Sequence, residues 1–185
     1  MDTVISFTDV SFSYDGKRNV INHLTFSFME TGFYVLLGKS GSGKTTFLSL
    51  LTGKLIPTEG KIERKEEEIG TVFQSPLLLD YLNVKENILF PLYLKGTEEE
   101  TREKKAEKAL KQVHLEGFEE RDVTTLSGGE KMRVSIARAL VLPSDVLVLD
   151  ETTGQLDEIN SREIYLLLKE LSRKRLVILV THDEK

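Results

Sequence analysis

Eight consecutive residues, Gly38-Lys39-Ser40-Gly41-Ser42-Gly43-Lys44-Thr45, follow the pattern G-x-x-x-x-G-K-[ST] without a break. Glycines at this spacing let a backbone wrap around a polyphosphate with successive N–H groups turned inward. The lysine of such a loop, Lys44, reaches the β- and γ-phosphates, and the following hydroxyl, Thr45, ligates Mg²⁺. With Thr46 beside it, this run is the candidate nucleotide site. A second chemical group stands at Val146-Leu147-Val148-Leu149-Asp150-Glu151, an apolar run ending in two carboxylates. An open parallel sheet presents its ligands at the carboxyl ends of its strands. Asp150 is therefore a candidate Mg²⁺ ligand, and Glu151 a candidate base for an attacking water. An isolated Asp-Glu is often only a polar strand end; the phosphate loop in the same chain gives this pair something to act on.

Such groups need elements to hold them. Phe33 to Leu37 is a short apolar run of the buried-strand type, and the glycine loop follows it directly. A helix over about Thr45 to Thr52, closed by Gly53, supplies the positive helix end that favours an anion. Upstream, Val4 to Tyr14 and Val20 to Met29 read as strands joined by the turn signal Asp15-Gly16. Gly60 to Phe73 holds two further short strands, and from Leu77 the character is helical. Ala106, Ala109, Leu110 and Val113 recur at helical spacing amid dense charge, which predicts a helix over Glu98 to Val113 with a solvated outer face. Another helix starts near Gly128, with Met132, Ile136, Ala137 and Leu140 along one side. Asn160 to Leu171 is a helix between the strands Val146–Leu149 and Arg175–Val180. Strands alternating with helices predict right-handed βαβ units and a largely parallel sheet.

Bulk properties narrow the field. A chain of 185 residues fits one domain, and 39% apolar with 30% charged residues is ordinary globular composition. No stretch approaches the roughly 18 unbroken apolar residues of a membrane span. The N-terminus lacks a basic-then-apolar leader, so a cytoplasmic location is expected. Without cysteine there is no disulfide or thiolate metal site, and His23, His114 and His182 are too scattered for a metal cluster. A net charge of −5 argues against nucleic acid as a partner.

The segment Leu126-Ser127-Gly128-Gly129-Glu130 decides among phosphate-loop proteins, and the match continues through Arg133 and Ile136-Ala137-Arg138-Ala139-Leu140. Here the chain resembles the ABC ATPase family, whose signature reads L-S-G-G followed by Gln or Glu. Other family motifs stand in order along the whole chain: Tyr14 for the residue that stacks on adenine, Gln74 for the Q-loop, Gly154-Gln155-Leu156-Asp157 for the D-loop, and His182 for the switch histidine.

The resemblance implies an α/β fold. A phosphate-loop core with an antiparallel β-subdomain would cover 1–76 and 136–185, and a helical subdomain carrying the signature would cover 77–135. It implies that two chains, identical or not, sandwich two ATP molecules. Ser127, Gly128 and Gly129 of one chain would meet the γ-phosphate held by the other, and Asp157 would link the two sites. Gln74 would sense Mg²⁺ and the attacking water, and His182 would contact the γ-phosphate. The implied role is the ATP-hydrolysing motor of a membrane transporter, docked on an integral permease subunit at the inner face of the membrane. Local texture around Phe73-Gln74-Ser75 and Tyr81-Leu82 is closest to the branch handling lipoproteins, macrolides and bacteriocins. The alternative is a non-transport ABC ATPase, a cell-division regulator or an iron–sulfur assembly subunit. About eighty residues between phosphate loop and signature leave no room for the coiled coil of chromosome-maintenance relatives. Two departures stand out. Thr152 replaces the usual proline after the catalytic glutamate, and the chain ends four residues after Thr181, where the family usually continues.

Overall fold

The computed structural model describes residues 2–65, 68–150 and 156–181. Thr3–Ser13 (β1) and Asn19–Met29 (β2) form an antiparallel pair around the Asp15-Gly16 turn. The Asp15 carboxylate holds that turn by accepting from the backbone N–H groups of Lys17 (2.8 Å) and Arg18 (3.1 Å). Those bonds, Lys17 first, pull its pKa below the usual carboxylate value. Glu59–Arg64 (β4) pairs with the other edge of β1, giving the order β2-β1-β4.

The second sheet is parallel. Its strands are Gly32–Leu37 (β3), Gly70–Val72 (β5), Val146–Asp150 (β6) and Leu176–Thr181 (β7), in the order β3-β7-β6-β5. The two central strands β6 and β7 are apolar on both faces, as a doubly covered parallel strand must be. Alternation sorts their side chains. Leu147, Leu149, Val177 and Leu179 enter one core, with Glu158–Leu171 (α5), Gly128–Leu140 (α4), Glu99–Gln112 (α3) and Val84–Leu94 (α2). Val146, Val148, Ile178 and Val180 enter the other, with Lys44–Leu51 (α1) and the antiparallel sheet. The expected α/β architecture is therefore the one observed.

The second core positions the glycine loop. Phe47 of α1 stacks on Phe7 of β1 at 5.3 Å between ring centroids, and Phe28 of β2 packs edge-on against Tyr34 of β3 at 4.9 Å. Phe7, Phe28 and Phe47 are buried, and burial of such a ring contributes about 1.5–3 kcal/mol by area. The C-terminal end of α1 has no basic residue of its own. Arg64 of β4 closes it instead, donating to the carbonyls of Leu51 (2.7 Å) and Leu50.

One boundary departs from the sequence reading. Helical character was expected from Leu77, yet α2 begins only at Val84. Leu77 adopts φ +48°, a left-handed conformation costly for a bulky residue, which stops any helix there. Asn83 then starts α2 with a reciprocal capping box to Glu86.

Candidate functional site

Residues 38–43 connect β3 to α1, and the connection leaves the helix start open. Gly43 is the N-cap at φ +94°, a backbone geometry that suits glycine, and it makes no side-chain cap bond. The first turn of α1 carries no acid. Every other helix among the described residues has a capping side chain or an acid in its first turn. The α1 N–H groups are thus left to face an anion. Lys44 curls over the loop, its Nζ donating to the carbonyls of Gly38 (2.6 Å) and Lys39 (3.0 Å).

This loop lines a cavity of about 410 Å³ together with Gln74 and Asp150. Strand order explains their company: β5 and β6 are neighbours, with Val72 paired to Leu149, so both chains leave the sheet on the same side. Ser40, Gly41, Gly43, Lys44, Thr45 and Thr46 all contribute to the wall, and so does Val20 of β2. No sequence signal marked Val20. The Thr45 hydroxyl, the Asp150 carboxylate and the Gln74 amide are hard oxygen donors in one cavity, the set that suits Mg²⁺ shared with phosphate oxygens. No cluster of three or more His, Asp or Glu occurs among the described residues, so no all-protein cation cage competes with that reading. Tyr14 does not line the cavity but is 67% exposed, its hydroxyl 3.1 Å from that of the wall residue Thr46 and its ring edge-on to Phe12.

The signature segment lies elsewhere. Ser127 caps α4, its hydroxyl accepting from the Glu130 N–H (3.3 Å) while the Glu130 carboxylate accepts from the Ser127 N–H (2.7 Å). That backbone bond is the main reason the Glu130 pKa falls below its ordinary value. Gly128 is exposed, whereas Gly129 is buried against α5, where a Cβ would collide with the Asn160 side chain. None of these residues lines the phosphate cavity of their own chain. Asp157 caps α5 by accepting from the Asn160 N–H (2.8 Å) and side-chain amide (2.7 Å), with the backbone bond chiefly lowering its pKa. Glu151, Gly154, Gln155 and His182 lie outside the described residues.

Two further side chains shape the site, and the sequence alone gave neither a role. The buried Asn87 accepts from the Leu79 N–H (2.8 Å) and donates to the carbonyls of Leu79, Leu82 and Asn83. Arg138 of α4 donates to the carbonyls of Pro76 (2.7 Å) and Leu77 (2.8 Å). The Asn87 bonds close a local loop and the Arg138 bonds reach backbone more than sixty residues away.

A parallel sheet, an uncapped helix start behind a glycine loop, and an acid at the end of a neighbouring strand define a phosphate-loop nucleotide-binding protein. The family model described as ABC transporter matches residues 21–154, and the chain belongs to that family. Among solved structures it is similar to cbiO1 from Clostridium perfringens, part of the ABC transporter complex cbiONQ. That match has a TM-score of 0.91 and 27% identity over 99% of this chain and 80% of that one. It is also similar to dimeric MJ0796, a bacterial ABC transporter cassette, at TM-score 0.78 and 32% identity over 97% and 88% of the two chains. A third is the dimeric post-hydrolysis state of MJ0796 bound to ADP and Pi, at TM-score 0.78 and 31% identity over the same shares.

Proposed function

We propose that this chain is the ATP-hydrolysing motor subunit of an ABC transporter, working as a pair that closes around two ATP molecules. One observation carries the reading. The phosphate cradle is assembled within a single chain, while Leu126 to Glu130 sits outside that cavity, with Ser127 and Gly128 exposed at the start of α4. A second copy is the natural source of the missing wall, and two similar cassettes were solved as dimers.

In this reading Lys44 turns from the Gly38 and Lys39 carbonyls to the β- and γ-phosphates, and the open α1 N–H groups take the phosphate oxygens. Tyr14 offers its exposed ring to adenine. Thr45, Asp150 and Gln74 hold Mg²⁺, which when bound offsets charge on the phosphate oxygens. Glu151 takes a proton from the attacking water, and His182 contacts the γ-phosphate. Ser127, Gly128 and Gly129 of the second copy close over that phosphate from the far side, and Asp157 joins the two sites. ATP and water leave as ADP and phosphate. The apolar side chains of Phe73, Leu77 and Tyr81 stand exposed along the segment that begins around Gln74, the stretch on which a membrane subunit would dock. No helix among the described residues is long and apolar enough to cross a membrane.

Glu151→Gln tests the chemistry. Nucleotide binding is expected to persist, with an ATP-dependent dimer on size exclusion and phosphate release slowed by at least about 10²-fold. Parental turnover in that variant would remove Glu151 from the role.

A further inference from the structure

We propose that Arg138 is a positioning residue that ties the signature helix to the Gln74 segment, so that movement of one is felt by the other. The inference rests on reading the cavity as an ATPase site, and it gives a role to Arg138, which the family match includes without one.

The geometry is specific. The Arg138 guanidinium gives one N–H to each of two consecutive carbonyls, Pro76 (2.7 Å) and Leu77 (2.8 Å), across more than sixty residues of sequence. The planar fork of arginine suits two adjacent acceptors, and a lysine could not span both in this way. Burial disfavours the charged guanidinium and lowers its pKa, so the carbonyl dipoles are what stabilise the charge there. Leu77 holds its left-handed φ at this spot, and strained backbone persists only where its surroundings over-determine it. Asn87 fastens the next residues, 79 to 83, from the other side. The segment from Gln74 to Asn83 is therefore irregular in conformation yet pinned at two points.

Position gives the tie its meaning. Pro76 is two residues from Gln74, which lines the phosphate cavity. Arg138 sits on the same unbroken helix as the Ser127 cap, about three turns away or ~16 Å along the axis. On the proposed division, the chain leaves the core near 76 and returns near 136, and Arg138 joins one crossing to the other. A closing partner that pushes on the α4 start displaces Gln74 through a rigid rod and two hydrogen bonds.

The experiment compares Arg138→Gln, Arg138→Lys and Gln74→Ala with the parental protein. Hydrogen exchange is the first readout. In Arg138→Gln, amides of residues 74–80 are expected to exchange at least about tenfold faster while β6 and β7 keep their protection. Unchanged exchange at 74–80 overturns the tie, whether or not the protein hydrolyses ATP. Kinetics is the second readout. Turnover is expected to fall about tenfold in Arg138→Gln with ATP affinity held within about threefold, and Arg138→Lys to recover part of it. Adding Arg138→Gln to Gln74→Ala is expected to cost nothing further. A parallel loss of affinity, turnover and thermal stability, with no recovery by lysine, would make Arg138 merely structural and overturn the proposal. Absence of ATP hydrolysis in the parental protein would instead defeat the motor reading, and the exchange result would still decide the tie.

Discussion

Two glycine-bearing helix starts in this molecule solve the same electrostatic problem in opposite ways. Each helix begins with N–H groups that lack intrahelical partners. At α4 the chain closes its own end: Ser127 and Glu130 exchange hydrogen bonds, and the acid sits in the positive field of the first turn. At α1 nothing of the kind occurs, with neither a capping side chain nor an acid present and a lysine curled above. A self-capped start is stable without help and can offer only what remains exposed. A start capped only by glycine gives up roughly a few tenths of a kcal/mol of local stability and keeps its donors for a ligand. Gly128-Gly129 and Gly41-Ser42-Gly43 look alike in composition, but their neighbours assign them to different work.

Four substitutions probe that contrast. Lys44→Ala is expected to weaken ATP binding at least about a hundredfold, near 3 kcal/mol, in a fluorescent-nucleotide titration. Unchanged affinity would end the account of α1 as an anion site. Thr45→Glu gives α1 the acid it lacks. Affinity is expected to drop about tenfold while thermal stability holds or rises slightly, since a carboxylate suits a helix N-terminus. Ser127→Ala removes the α4 cap at a cost of about 1 kcal/mol in denaturant unfolding. ATP affinity of a single chain is expected to stay at the parental value; a large change would erase the distinction between the two starts.

Glu130→Gln is the smallest change, under about 0.5 kcal/mol at neutral pH, because the amide preserves the capping geometry and loses only the charge. Its signature lies in the pH profile. The folded-state pKa of Glu130 is depressed from its ordinary 4.5, chiefly by the Ser127 N–H. The stability that its charge contributes is therefore full above the unfolded value and fades as pH falls through the lower folded one. Parent and variant are expected to converge in stability as acidification passes below the ordinary carboxylate range.

Much of this was legible in the residues themselves. The loop between β3 and α1 follows from an uninterrupted motif set between an apolar run and a helical one. β6 declared itself as unbroken Val and Leu before two acids. What escaped was written in side-chain bonds to backbone and in strand order. Leu77-Leu78-Leu79 reads as the start of a helix, and only Arg138 and Asn87, arriving from α4 and α2, show why the backbone stays irregular until Asn83. That Gln74 shares a cavity with Asp150 depends on strand order, which pairing sets and spacing does not. Val20 joined the cavity wall by the placement of a sheet edge.

The guanidinium of Arg64 against the far end of α1 has a consequence for load. A tetra-anionic nucleotide pulls along the axis of an eight-residue helix, and a rod that short cannot absorb tension by bending. Arg64 anchors it to β4 and so to the sheet that ends in Tyr14. In the proposed motor, grip on the phosphates and support beneath the base both fall to this joined helix and sheet.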